Sequence, residues 1–331
     1  MSQYKTILTQ QSLKLWLALT LVALIPISFN SCKGLDAPYE SNLSSIEGQS
    51  NNSSQEPDLG SQEPNPGSQK GVIFYDSFES QDLSTTNSEG FSWHRPNRTS
   101  LVNSFGYAVW NGRSINNGPY PDRFWEGFNS DHSMRFRYPA GETWAEQRFS
   151  IGAPKTEIWI SYMIRIPINY SHGVGGGSPT NNKFISLWMD DYSHKGDGSS
   201  FWLSMENAGN GNTDLAFTYS LGSYKASEGM RQHAAFINAN EDKGRWVKIV
   251  IHLKAESSPG AKDGVVETWR RWESESDYVQ LHGKYDVPFK IPANGPNGFY
   301  KGYLLGWANG TYSELTEWLI DDFTLSSSSL L

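Results

Sequence analysis

Three short segments of this chain set polar, chemistry-bearing side chains at every second position, the spacing that gathers them on one face of a β-strand. In "AEQRFSI", Glu146 and Arg148 share one face, with Gln147 and Phe149 on the other. A guanidinium oriented by a neighbouring carboxylate can grip a substrate carboxylate, although the same pair is also an ordinary strand ion pair. In "FWLSMEN", Trp202, Ser204 and Glu206 alternate with Phe201, Leu203 and Met205. A polar triplet with one indole suits a sugar-binding groove, and equally the solvent face of an edge strand. In "DLAFTYS", Phe217 and Tyr219 point together.

A fourth segment, "NNKFISLWMDDYSHKGDG" from Asn181, is harder to orient. Strict alternation puts Lys183 with Ile185, Leu187 and Met189, and sets Asn182 beside Ser186 and Trp188. On that pattern Asn182 and Trp188 face the groove, unless a bulge re-aims Lys183. The loop that follows has Asp190, Asp191 and Asp197, but Lys195 among them opposes a cation. His172 sits in the glycine-rich stretch "NYSHGVGGGSPTNNK", which could fold over a groove. His233 in "MRQHAAF" is a candidate carboxylate binder or base. His252 alternates with Lys248 and Lys254 on a basic strand face. "NGNTD" has the start of a calcium loop, but Leu221 stands where its closing glutamate belongs. No His/Cys cluster has zinc spacing.

The elements that must carry these groups are strands. "EIWISYMIRIPI" alternates Ile158, Ile160, Tyr162, Ile164 and Ile166 against Trp159, Ser161, Met163 and Arg165. "RWVKIVIHLKA" sets Val247, Ile249, Ile251 and Leu253 against Trp246, Lys248, His252 and Lys254. "GVVETWRRW" and "TEWLIDDFTLS" read the same way, with turn residues before them. Many such strands over residues 71–327 predict one all-β domain, a two-sheet antiparallel β-sandwich of jelly-roll type. The 13 tryptophans suit both a sandwich core and stacking on sugar rings. A net charge of −8 argues against nucleic acid as a partner, while a local basic cleft can still receive an acidic polysaccharide.

Ahead of that domain, residues 1–32 read as a signal segment: Lys5 and Lys14 precede the apolar run "LWLALTLVALIPI". The single cysteine, Cys32, follows it at a position that resembles a bacterial lipobox, although Phe29 and Asn30 depart from the usual pattern and ordinary cleavage nearby is the alternative. Lipidation there implies an exported protein anchored to the cell envelope through a membrane lipid, and otherwise a secreted one. Residues 33–70, with the repeated Ser-Gln-Glu-Pro unit, hold too little apolar surface to offset the entropy of ordering, and read as a flexible tether.

The segments "YDSFES", "AEQRFSIGAPKTEIWISYMIRIP", "NNKFISLWMDD", "GRWVKIVIHLKA", "DGVVETWRRW" and "TEWLIDDFTLS" resemble, in their order, the concanavalin A-like lectin/glucanase superfamily. Within it they resemble jelly-roll polysaccharide lyases that cut uronate polymers such as alginate, glucuronan or heparin. Such an enzyme neutralises the uronate carboxylate, removes the C5 proton and protonates the departing O4. The resemblance implies Lys183 for the strand lysine, Ser204 for the serine of a Ser-x-Arg strand, and Tyr219 for the second residue of a Tyr-x-Tyr strand. Glu206 and Phe217 depart from those patterns. Arg148 then takes the carboxylate, Tyr219 acts as acid or base, and Lys183 or His172 assists. The resemblance also implies a structural Ca²⁺ where the first and last strands meet, on Asp76, Glu79 and Asp322, and no other cofactor. A non-catalytic carbohydrate-binding or adhesion lipoprotein is the alternative, with Trp188 and Trp202 stacking on sugars. A glycoside hydrolase ranks third: the expected Glu-x-Asp-x-x-Glu run is missing, and "ESESD" from Glu273 looks like a turn.

Overall fold

Strands that are apolar at every second position bury that face only when another sheet covers it. The computed structural model describes residues 70–83, 87, 89–103, 108–110, 113–115, 131–174, 181–190, 198–221, 232–289, 292 and 298–331, with backbone alone for 108–110, 113–115 and Asn181. In chain order its strands are β1 (Val72–Asp76), β2 (Ser92–Asn97), β3 (Thr99–Asn103), β4 (Ala108–Trp110), β5 (Arg113–Ile115), β6 (His132–Tyr138), β7 (Trp144–Lys155), β8 (Glu157–Arg165) and β9 (Asn181–Trp188). They continue as β10 (Ser200–Gly209), β11 (Asn212–Ser220), β12 (Gln232–Ile237), β13 (Trp246–Lys254), β14 (Gly264–Trp272), β15 (Val279–Val287), β16 (Phe299–Trp307) and β17 (Thr316–Ser326). No helix occurs among the described residues.

Two antiparallel sheets result, the sandwich of jelly-roll type that the alternation predicts. The larger has ten strands in the order β15-β14-β13-β8-β17-β6-β3-β4-β5, with β1 paired to β17. The smaller has seven, in the order β12-β11-β10-β9-β16-β7-β2. The inner face of the larger sheet carries Ile158, Ile160, Tyr162 and Ile164 of β8 and Val247, Ile249, Ile251 and Leu253 of β13, all fully buried in one core. The smaller sheet answers with Phe149 of β7, Ile185 and Leu187 of β9, Phe201, Leu203 and Met205 of β10, and Leu304 of β16. Truncating any one of these to alanine costs about 2–5 kcal/mol, because the cavity does not close fully.

The two ends of the described chain meet in the larger sheet. β1 lies antiparallel on β17, Tyr75 opposite Thr324 and Asp76 opposite Phe323. Just beyond the strand, the Gly71 carbonyl accepts the Ser327 N–H at 2.8 Å. Beside this seam Phe74 stacks on Phe91 at 3.7 Å, and Trp93 meets Phe323 edge-on at 4.9 Å.

Candidate functional site

The orientation of Lys183 is settled by a bulge. Across β9 and β10, Ile185 pairs with Leu203 but Lys183 pairs with Ser204, so Phe184 is an extra residue in β9. The extra residue flips everything before it. Lys183 joins Trp202 and Ser204 on the outer face of the seven-stranded sheet, its Nζ 5.9 Å from the Trp202 ring centroid. Asn182, expected on that face, instead pairs with core-facing Met205; it is buried and donates through Nδ2 to the Tyr312 hydroxyl. Trp188 does keep its outward register, between Ser200 and Lys301. It is nonetheless buried against Tyr303, and no ring face is left open for stacking.

Register then builds one row across the sheet. His94 of β2 lies opposite Arg148 of β7, Arg148 opposite Tyr303 of β16, Tyr303 opposite Ser186 of β9, and Ser186 opposite Trp202 of β10. Directly paired residues in antiparallel strands project to the same side, so these side chains share the outer face. On the inner side of β7, Gln147 turns into the protein, accepting from the Thr99 hydroxyl at 2.8 Å and donating to the His94 carbonyl at 3.0 Å.

Arg148 is fixed by Glu146: its Nε donates to Oε1 at 2.6 Å. The other oxygen, Oε2, accepts the indole N–H of Trp144 at 3.3 Å. Glu146 is only 4 % exposed, so its charge is compensated inside the protein, and the guanidinium, half-buried, is the part left facing outward. Gly306 makes room for this carboxylate. With φ +125° it holds a conformation that a side chain disfavours, and a Cβ there would lie 3.3 Å from Glu146 Oε2 and 2.9 Å from the Tyr303 ring.

His94 adds a base. Partial burial holds its imidazole below the ordinary value, and the positive charges of Arg95, Arg148 and Lys301 push it the same way, against a backbone hydrogen bond at Ser92. The ring is therefore neutral at neutral pH and able to accept a proton. Arg148 and Lys301 make this part of the face positive on a chain of net charge −8, beside the neutral His94 ring.

At the other side of the sheet, the Ser204 hydroxyl donates to Glu206 Oε1 at 3.1 Å. His233 Nδ1 lies 3.8 Å from both Glu206 Oε2 and Asp214 Oδ2. Glu206 is 2 % exposed, and its charge is turned to Ser204 and His233 rather than outward. The acidic residue that breaks the Ser-x-Arg pattern is thus screened from a ligand on this face.

Two residues expected to catalyse are elsewhere. Tyr219 pairs with Phe201 and packs in the core against Phe217 and Phe289, so its hydroxyl does not serve the outer face. The parity of "DLAFTYS" sends Phe217 and Tyr219 inward, and Asp214, Ala216 and Thr218 outward. His172 is held at the end of the sandwich, with Nε2 3.1 Å from the Asn212 carbonyl and 3.0 Å from the Thr213 hydroxyl, and its ring edge-on to Tyr170. Burial lowers its pKa. Residues 175–180 of the glycine-rich stretch and 191–197 of the acidic loop lie outside the described residues, as do residues 1–69 with Cys32.

The carboxylates suggested for calcium do not converge. Asp76 accepts the Phe78 N–H at 2.8 Å and the Trp93 indole at 2.8 Å, and burial lifts its carboxyl to about 6. Glu79 accepts the His132 backbone N–H at 2.8 Å and faces the His132 ring at 3.0 Å. Asp322 accepts the Tyr75 hydroxyl at 2.7 Å. Among the described residues no group of three or more His, Cys, Asp or Glu side chains could hold a metal ion. These three residues do not fit a calcium site. His252, read as part of a basic face, is instead clamped between Glu157 at 2.9 Å and Glu267 at 2.8 Å, and stacks on Trp159.

Sequence reasoning missed four residues of the outer face: His94, Lys301, Trp144 and Trp307. Alternation in "SWHRPN" would have turned His94 outward from core Trp93, but Pro96 obscures the strand. β2 tolerates that proline because it is an edge strand, bulged after His94 with Arg95 at φ +47°. Trp144 and Trp307 are directly opposite each other on β7 and β16, and are 39 % and 53 % exposed.

No family profile matches the sequence, and no curated protein does. Among solved structures, an alginate lyase of family PL-14 from Aplysia kurodai is similar at 10% identity and a TM-score of 0.48, covering 78% of this chain and 99% of that one. An alginate lyase from Chlorella virus is similar at 11% identity and 0.43, covering 78% and 100%. A legume lectin-like domain from Entamoeba histolytica is similar at 8% identity and 0.39, covering 60% and 84%. Likenesses at this level say nothing of what this chain binds.

Proposed function

We propose that the outer face of the seven-stranded sheet holds an acidic polysaccharide and cleaves it by β-elimination. One observation carries the reading: His94, Arg148 and Lys301 lie together on that face, with a neutral imidazole beside a guanidinium oriented by a buried carboxylate. Arg148 takes the uronate carboxylate and makes the C5 proton acidic. The His94 imidazole removes that proton, the electron pair forms the C4–C5 double bond, and the C4–O4 bond breaks. O4 leaves with a proton from the Lys301 ammonium or from solvent. Lys183 and Trp202 extend the face, a cation and an aromatic ring for a further sugar.

Binding without cleavage is the second reading. It is favoured by the inward turn of Tyr219 and by the burial of Tyr303, the outer-face tyrosine opposite Arg148, which leave lysines as the accessible acids of this face, and an ammonium is a weak proton donor at neutral pH. Lipid anchoring through Cys32 and display at the cell envelope belong to the same proposal in either case. Incubation with alginate, glucuronan and glycosaminoglycans, followed by ultraviolet absorbance of the unsaturated uronate, separates the two. Rising absorbance supports the lyase. Flat absorbance with co-sedimentation on one of the polymers leaves the binding protein.

A further inference from the structure

We propose that Trp144 and Trp307 form a stacking subsite for a pyranose ring, distinct from the Arg148 position and set at the end of the same face; this rests on the reading of that face as a polysaccharide groove. Two tryptophans directly opposite each other on neighbouring strands, both well exposed, are costly to leave in water unless something covers them. Trp144 is held in place. Its indole N–H is committed to Glu146 Oε2, and its backbone carbonyl accepts Arg98 Nη1 at 2.8 Å. Arg98 is in turn tied to Glu142 at 2.8 Å. A ring fixed this way presents its apolar face at little entropic cost on binding.

The occupant is argued from what adjoins the pair. Glu146 joins the Trp144 indole to the Arg148 guanidinium, so the aromatic surface and the carboxylate-binding cation are parts of one hydrogen-bonded unit. The Cα atoms of Trp144 and Arg148 are four strand positions apart, roughly 13 Å, but the indole N–H and the guanidinium meet at one carboxylate. Trp307, across from Trp144 on the neighbouring strand, is therefore the ring that lies beyond a sugar held on Arg148. A chain of sugars long enough to reach both is the ligand that uses both. The apolar faces of pyranoses stack on indole whatever their charge, so this subsite reads length while Arg148 reads the carboxylate.

The test titrates the protein with alginate oligomers of graded length and with a neutral glucan, following tryptophan fluorescence, for the wild type, Trp307→Ala, Trp307→Phe, Trp144→Phe and Arg148→Ala. Trp307→Ala is expected to weaken binding of long oligomers about tenfold while leaving the shortest unchanged, with Trp307→Phe in between. Equal affinities for wild type and Trp307→Ala at every length, where Arg148→Ala still abolishes binding, overturn the subsite and leave the groove standing. Tryptophan-dependent binding of the neutral glucan alone retains the subsite and overturns the acidic ligand. A wild type that binds neither probe overturns both. A wild-type dimer that Trp307→Ala converts to monomer overturns the subsite by showing a second copy to be the occupant.

Discussion

Lys183 stands opposite Ser204 rather than one position away, because Phe184 is the extra residue of a bulge in β9. That single insertion exchanges the roles of two neighbours: the lysine goes to the outer face and Asn182 to the core. Lys183→Ala is therefore expected to weaken binding of an acidic polysaccharide with little effect on the melting temperature. Asn182→Ala is expected to do the reverse, costing about 1–3 kcal/mol by leaving the Tyr312 hydroxyl without its buried partner. Thermal melts and binding titrations on the two variants check this; a binding defect in Asn182→Ala at unchanged stability would contradict the placement.

If the face is a lyase, Tyr219→Phe is expected to keep activity within about twofold of wild type, since its hydroxyl is on the core side. Arg148→Ala and His94→Ala are each expected to lower kcat/KM by about 100-fold or more. The product's ultraviolet absorbance measures all three. Loss of activity in Tyr219→Phe alone would return catalysis to that tyrosine.

The pH profile should report His94. Its pKa lies below the ordinary imidazole value, so kcat/KM is expected to rise with pH along an acid limb whose midpoint is lower than that of an ordinary imidazole. Lys301→Met removes one of the cations that depress the imidazole, and the acid limb should then move to higher pH. A limb that stays fixed in Lys301→Met would mean that another group is being titrated.

Much of this organisation is legible in the sequence, and the parts that are not have physical reasons. The inner faces of β8 and β13 follow from alternation alone, because both strands are regular and central. The pairing of Glu146 with Arg148 follows from their two-residue spacing. Alternation puts Asn182 on the wrong face and leaves the side of Lys183 open, because a bulge leaves no mark in the residue pattern when the extra residue, Phe184, is itself apolar. Tyr219 rests on a family pattern whose first position here is phenylalanine, and the parity that puts Phe217 in the core takes Tyr219 with it. His94 was hidden by Pro96, which makes an edge strand look like a turn.

Asp76 gives a prediction about stability. Its carboxyl is raised by burial from an ordinary value of 3.8 to about 6. The folded state thus holds this proton more tightly than the unfolded chain, so the contribution of Asp76 is most favourable below pH 4 and is lost as pH rises through about 6. Asp76→Asn has no such titration. The stability of the wild type relative to Asp76→Asn should fall by up to about 3 kcal/mol between pH 4 and pH 7, read from denaturant unfolding at each pH. A difference that is constant with pH would show the carboxyl to be unperturbed.

The seam between β1 and β17 makes the described sandwich a nearly closed ring of chain. Lys70 and Ser328 are hydrogen-bonded at 2.7 Å, so a short linker could join them without moving either. Chain order is then a matter of where the ring is cut. Opening it in the exposed turn at 257–261, between β13 and β14, would break no pairing and would stay clear of the outer face of the smaller sheet. A permuted protein of this kind would start and end in a solvent-exposed turn of the larger sheet, while the groove-bearing sheet would remain uncut.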